Sequence, residues 1–218
     1  MREQIISSVK KEKIIAIIRG IESEKCQKVA QALYDGGIRL MEVTYNQKDP
    51  SSWEQTAQAI GATAKAFEGR LFVGAGTVTS VELVELTHKY GGKFIISPNM
   101  DVDVIRRTRE LGMVSMPGCL TPSEIMDAHR AGADFVKLFP AADLGPGFLK
   151  AIRAPISHVP MLVVGGINEK NIGDFLAAGA AGAGIGGNLA NKAWIEAGEY
   201  EKVTEVAAKL VAVVQASK

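Results

Sequence analysis

Helix, glycine, strand is the repeating unit of this chain, and it recurs from end to end. Short apolar runs occupy residues 14–18, 40–44, 71–73, 94–96, 114–116, 135–139, 161–164 and 183–186. They are too short for helices and read as strands buried on both faces. Helical patterns with their own start and stop signals lie between them. Thr121-Pro122-Ser123-Glu124 is a capping box with proline at the first helical position, and Gly132 stands where a C-terminal cap belongs. Thr79-Ser80-Val81-Glu82 opens another helix, closed by Gly91-Gly92, and Gly36-Gly37, Gly112 and Gly179 punctuate in the same way. A helix between successive strands makes those strands parallel. Eight such units in 218 residues predict an α/β fold, a single-domain (β/α)8 barrel over residues 1–218. The charged amphipathic segment beginning Met1-Arg2-Glu3-Gln4 reads as an extra N-terminal helix rather than a signal peptide. A doubly wound open sheet is the competing architecture. It usually has fewer strands and wants a glycine-rich turn after the first, where only Arg19-Gly20 stands.

Composition removes several classes of function. A formal net charge of +1 and a pI near 7.7 leave no electrostatic footprint for nucleic acid or a membrane surface. The apolar stretch at 177–187 is built of small residues and is too short to span a bilayer. Cys26 and Cys119 lack CxxC spacing, and His88, His129 and His158 lack metal-like spacing, so neither a disulfide framework nor a metal site is expected. Reduced thiols fit a cytoplasmic protein.

Three charges interrupt the strand pattern. Lys137 lies inside Phe135-Val136-Lys137-Leu138-Phe139 and Glu42 inside Leu40-Met41-Glu42-Val43-Thr44, and the first strand, Ile14-Ile15-Ala16-Ile17-Ile18, is expected to end in Arg19 as a third buried strand charge. Strand alternation puts Lys137, Phe135 and Phe139 inside the barrel, together with Leu40, Glu42 and Thr44. A buried lysine loses proton affinity from its usual value of about 10.4 and becomes a nucleophile able to form a Schiff base with a ketone. Such chemistry needs a proton shuttle, and Glu42 is the only acidic residue in a strand-like run. The competing readings are a strand-end lysine whose amine reaches water, and a Glu42 that merely pairs with Lys137 or Arg19. Glycines recur where strands should end. Gly74-Ala75-Gly76-Thr77 follows the third run, Gly165-Gly166 the seventh, and Gly186-Gly187-Asn188 the eighth. In a barrel, the last two loops are the usual phosphate site.

The chain resembles the bacterial KDPG/KHG aldolases, on Ile15-Ala16-Ile17-Ile18-Arg19-Gly20, Met41-Glu42-Val43-Thr44, Val73-Gly74-Ala75-Gly76-Thr77-Val78, Ile96-Ser97-Pro98, Met116-Pro117-Gly118, Val136-Lys137-Leu138-Phe139-Pro140 and Val164-Gly165-Gly166-Ile167, in that order. The resemblance implies a class I aldolase that releases pyruvate and an aldehyde from a 2-keto-3-deoxy-6-phospho sugar acid or from 4-hydroxy-2-oxoglutarate. It implies Lys137 as the Schiff-base lysine and Glu42 as general acid/base. Thr77, Pro98 and Phe139 would surround the pyruvyl unit, and Arg19 would hold the substrate carboxylate. Gly165, Gly166, Gly186 and Gly187 would line the phosphate end. It further implies a homotrimer that needs no metal or organic cofactor. Some members have arginine where this chain has Asn46. Gluconate-type members have threonine and serine at Val164 and Asn188, and valine at the first of these is similar to the galactonate-type enzyme. A sugar-phosphate isomerase or epimerase, or a non-catalytic sugar-acid binding protein, would fit the same barrel.

Overall fold

In the computed structural model, which describes residues 1–217, nine strands run parallel in one sheet. They are β1 (Ile14–Ile18), β2 (Leu40–Thr44), β3 (Phe72–Gly76), β4 (Phe94–Ile96), β5 (Val114–Met116), β6 (Gly118–Cys119), β7 (Val136–Leu138), β8 (Met161–Val164) and β9 (Gly182–Ile185). The helices are α1 (Arg2–Glu12), α2 (Cys26–Asp35), α3 (Trp53–Ala66), α4 (Val81–Lys89), α5 (Val102–Glu110), α6 (Pro122–Ala131), α7 (Gly145–Arg153), α8 (Ile172–Ala177), α9 (Lys192–Ala197) and α10 (Tyr200–Ala216). The local signals are present as read. Thr121 and Glu124 form the reciprocal capping box, Gly132 closes α6 at φ 105°, and Ser80 caps α4.

The strand order is β5-β4-β3-β2-β1-β9-β8-β7-β6. Its two edges, β5 and β6, are consecutive in the chain and separated only by Pro117. Proline has no N–H to give the ladder, so one strand is split in two at that residue. Its first half pairs with β4 and its second with β7, and Lys137 N donates to the Pro117 carbonyl at 2.8 Å. The barrel is thus nearly closed. The eight expected strands become nine because the fifth is broken.

Alternation divides the apolar residues between two cores. Met41, Val43, Val136, Leu138, Met161 and Val163 face the helices. Ile15, Leu40, Phe94, Val114, Phe135 and Leu162 fill the inside of the barrel, and Ile5 and Val9 of α1 close this interior core from below. Arg2 of α1 pairs with the buried carboxylate of Asp134, which also holds Arg109 at 2.9 Å and accepts from Ser115 N at 2.9 Å. The lower half of the barrel is therefore solid and apolar. Polar groups are left to the end where the strands finish.

Candidate active site

Glu42 and Lys137 occupy the inward face above that apolar floor. Glu42 is the middle residue of β2, in register with Ile17 of β1 and Gly74 of β3, and is 1 % exposed. Lys137 is the middle residue of β7, in register with Gly118 and Leu162, and is 6 % exposed. Burial raises the Glu42 carboxyl to about 7, against the pull of Lys137 and Arg19. Burial lowers the Lys137 ammonium, Glu42 opposes that, and Arg19 adds to it. The two feel each other's charge, yet among the described residues no ion pair within 4.0 Å joins them. Glu42 Oε2 is buried without a hydrogen-bond partner among those residues. An unpaired buried acceptor is costly when the carboxyl is ionised, and the proton that burial retains on Glu42 reduces that cost. The Lys137 ammonium lies 4.8 Å from the centre of the Phe139 ring, within cation–π range.

The space for Glu42 is made by a glycine that the sequence reading assigned to a loop. β3 runs through Gly76 instead of stopping near residue 73, because Gly74 and Gly76 pair in register with Glu42 and Thr44. A Cβ at Gly76 would lie 2.5 Å from Glu42 Oε1, and one at Gly74 would strike Phe94 at 2.4 Å. Neither clearance was visible before the strands were paired.

The remaining groups ring the mouth. Arg19 lies just past β1 and is exposed, not a buried strand charge as expected, and its Nη2 donates to Thr77 Oγ1 at 3.4 Å. The first strand ends at Ile18, so the guanidinium extends from the rim toward solvent. Thr77 follows β3 with φ 57°, a left-handed conformation that costs a β-branched residue roughly 1–2 kcal/mol. Pro98 follows β4, half-buried, and its carbonyl stands where a Cβ on Gly118 would fall, at 2.3 Å. Phe139 is 39 % exposed over the mouth, with its ring 3.2 Å from where a Cβ on Gly165 would be. Val164 ends β8 on the inward face and is buried, with its Cγ2 2.9 Å from the Cβ position of Gly184.

Gly165 and Gly166 turn at φ 94° and 73°, conformations that side chains resist. The Gly166 carbonyl accepts from Asn171 Nδ2 at 3.0 Å, and Asn188 Nδ2 donates to the Ile167 carbonyl at 3.0 Å. The loops after β8 and β9 are thereby tied together. Gly187 and Asn188 border a hollow of about 340 Å³ that also touches Asn168 and Lys170, and Gly186 lies beside it in the chain. A larger cavity of about 730 Å³ opens over β1 to β3, bounded by Arg19, Thr44, Asn46, Gln47, Gln55 and Thr77. Lys137 and Glu42 are not part of its wall. Glu42 lies two residues before Thr44 on the same face, one pleat deeper. Nothing in the sequence singles out Gln47, whose bonds to the Thr77 carbonyl and the Thr79 hydroxyl join loops far apart in the chain.

Comparison with known proteins places this geometry in a wider group. The family model described as KDPG and KHG aldolase matches residues 5–206. The chain is 36% identical over 177 residues to the 2-dehydro-3-deoxy-6-phosphogalactonate aldolase of Escherichia coli strain K12, covering 81% of this chain and 83% of that protein. It is 33% identical over 200 residues to the KHG/KDPG aldolase of the same strain, covering 91% and 90%. A crystal structure of KDPG aldolase from Legionella pneumophila, with pyruvate captured as a covalent carbinolamine, superposes with a TM-score of 0.84. The two are 27% identical, over 94% of this chain and 97% of that one.

Proposed function

Because this chain belongs to the KDPG and KHG aldolase family, we propose that Lys137 is its Schiff-base nucleophile and Glu42 its proton carrier. The enzyme is a class I aldolase, a carbon–carbon lyase. Neutral Lys137 attacks the C2 ketone of the substrate to give a carbinolamine. Loss of water, with a proton supplied by Glu42, gives the iminium. Glu42 then takes the C4 hydroxyl proton, the C3–C4 bond breaks, and its electron pair passes into the iminium to leave an enamine. The aldehyde departs, Glu42 passes the proton it took to C3 of the enamine, and water hydrolyses the resulting iminium to free pyruvate and Lys137. The observation that carries this reading is a lysine and a carboxylate both buried on the inward faces of β7 and β2, with no ion pair joining them among the described residues. Neither group is committed to the other.

The substrate is a 2-keto-3-deoxy-6-phospho sugar acid or 4-hydroxy-2-oxoglutarate. The hollow beside Gly186, Gly187 and Asn188 supports placing the phosphate there, with Gly165 and Gly166 lining the same end, and Arg19 takes the carboxylate. Thr77, Pro98 and Phe139 enclose the pyruvyl unit. Valine at position 164 supports a preference for the galactonate-type C4 epimer, because it offers no hydroxyl to the substrate. Reduced Cys26 and Cys119, both free and buried, support a cytoplasmic setting. The assembly is a homotrimer, which light scattering on the purified protein tests by mass.

Borohydride reduction in the presence of pyruvate, followed by peptide mapping, tests the mechanism. The expected result is one pyruvyl adduct, on Lys137. An adduct on another lysine, or none, would overturn the assignment. An isomerase or a bare binding protein on this barrel would trap nothing.

A further inference from the structure

Thr77 is held in a backbone conformation that its own side chain resists, and something must hold it there. The group that does so comes from a different loop. Gln47, five residues along from Glu42 between β2 and α3, donates from Nε2 to the Thr77 carbonyl at 2.8 Å. Its Oε1 accepts from Thr79 Oγ1 at 2.9 Å. One bond uses the amide as donor and the other as acceptor, so the orientation of the amide is fixed, since turning it over would oppose oxygen to oxygen. The two contacts bracket Val78, whose own N–H donates to the Ile96 carbonyl at 3.2 Å. The turn after β3 is therefore pinned from β2's loop on one side and from β4 on the other. Left to itself, a β-branched residue leaves φ 57° for the extended or right-handed region. That rotation would carry the Thr77 hydroxyl away from Arg19 and from the barrel mouth.

We propose that Gln47 is a positioning residue that fixes the left-handed turn at Thr77 and so aims the Thr77 hydroxyl at the pyruvyl unit. The proposal rests on the placement of that unit beside Thr77. Gln47 touches no substrate in this scheme and takes no part in proton transfer. Its loss should weaken the capture of pyruvate and leave the chemistry at Lys137 unchanged once the ligand is bound.

The test is borohydride inactivation across a range of pyruvate concentrations, which separates half-saturation from the limiting rate. Gln47→Leu should raise the half-saturating concentration by about 5–10-fold, the worth of one or two hydrogen bonds, and leave the limiting rate within about twofold. Gln47→Glu keeps the acceptor for Thr79 and removes the donor to Thr77, so it should behave like Gln47→Leu even if the leucine variant loosens the loop. In a Thr77→Val background there is no hydroxyl to aim, and adding Gln47→Leu should then change half-saturation by less than about twofold. A wild-type response in Gln47→Glu, or a full additional penalty in the Thr77→Val background, would overturn the proposal. If Thr77→Val alone leaves half-saturation unchanged, Thr77 is not beside the ligand and the proposal falls with that placement. A wild-type protein that traps no pyruvate overturns the Schiff-base reading itself, a failure separable from the others.

Discussion

At the scale of single residues, the site is a contest between burial and charge. The Glu42 carboxyl stands near 7 in the folded protein against 4.5 for the free group. At about 1.4 kcal/mol for each tenfold change in proton affinity, that is a difference of about 3 kcal/mol. The folded state holds this proton more tightly than the unfolded chain. The associated stability is thus fully present below pH 4.5 and is lost as pH rises through about 7. Glu42→Gln cannot ionise, so the variant should gain stability on wild type across that window. Urea titrations of both proteins at pH 4.5 and pH 8 would show it, and parallel behaviour would mean that Glu42 is solvated after all. The same substitution should cost turnover on the order of 10²–10⁴-fold, the usual worth of a general acid–base group, with some trapping of pyruvate retained. Lys137→Arg should abolish trapping altogether, because guanidinium stays protonated. The burial of Lys137 and Glu42 on strands is legible in the sequence, because a charge within an apolar run is carried into the sheet with its neighbours. Arg19 was misjudged as buried because a strand's last residue cannot be told from the first residue of its loop by pattern alone. Val164→Thr belongs to this scale too. It should move the ratio of kcat/KM for the two C4 epimers toward the gluconate form by about 1–3 kcal/mol. An unchanged ratio would show that position 164 does not read the hydroxyl.

At the scale of elements, caps mark the helices and apolar runs mark the strands, and the structure departs from that pattern at glycines and at one proline. β3 was cut short at Val73 because Gly74-Ala75-Gly76 looks like a turn by composition, while in the sheet it is a strand pared down to admit Glu42 and Phe94. The break at Pro117 was equally hidden, since a proline between two apolar residues reads as an interruption only when its ladder partners are known. Gly76→Ala tests the clearance. Its methyl group would displace the carboxylate, and cleavage should fall nearly as far as in Glu42→Gln while circular dichroism stays that of wild type. Full activity in Gly76→Ala would show that the carboxylate can move aside at no cost. The helix α1 was expected as an addition to the barrel, and it is its lower plug. Ile5→Ala should therefore lower stability by roughly 2–5 kcal/mol in a urea titration with kcat/KM unchanged at 25 °C, and a matching loss of activity would mean that the floor shapes the mouth.

At the scale of the whole molecule, the repeated unit announced the barrel, because eight strands joined by helices have few ways to bury both faces. The constellation at its mouth was less legible. Lys137 and Glu42 are far apart in the chain and meet only through the closure of the sheet, and Gln47 reaches Thr77 only because two loops end at the same rim. The barrel's apolar lower half, closed by Ile5 and Val9, leaves the Glu42 carboxylate a single route to bulk water, through the mouth that a bound ligand would occupy. Isotopes would register that seal. A deuteron lifted from trideuterated pyruvate should be handed back to the enamine several times before it escapes, so that its appearance in solvent lags behind the making and unmaking of the carbon–hydrogen bond.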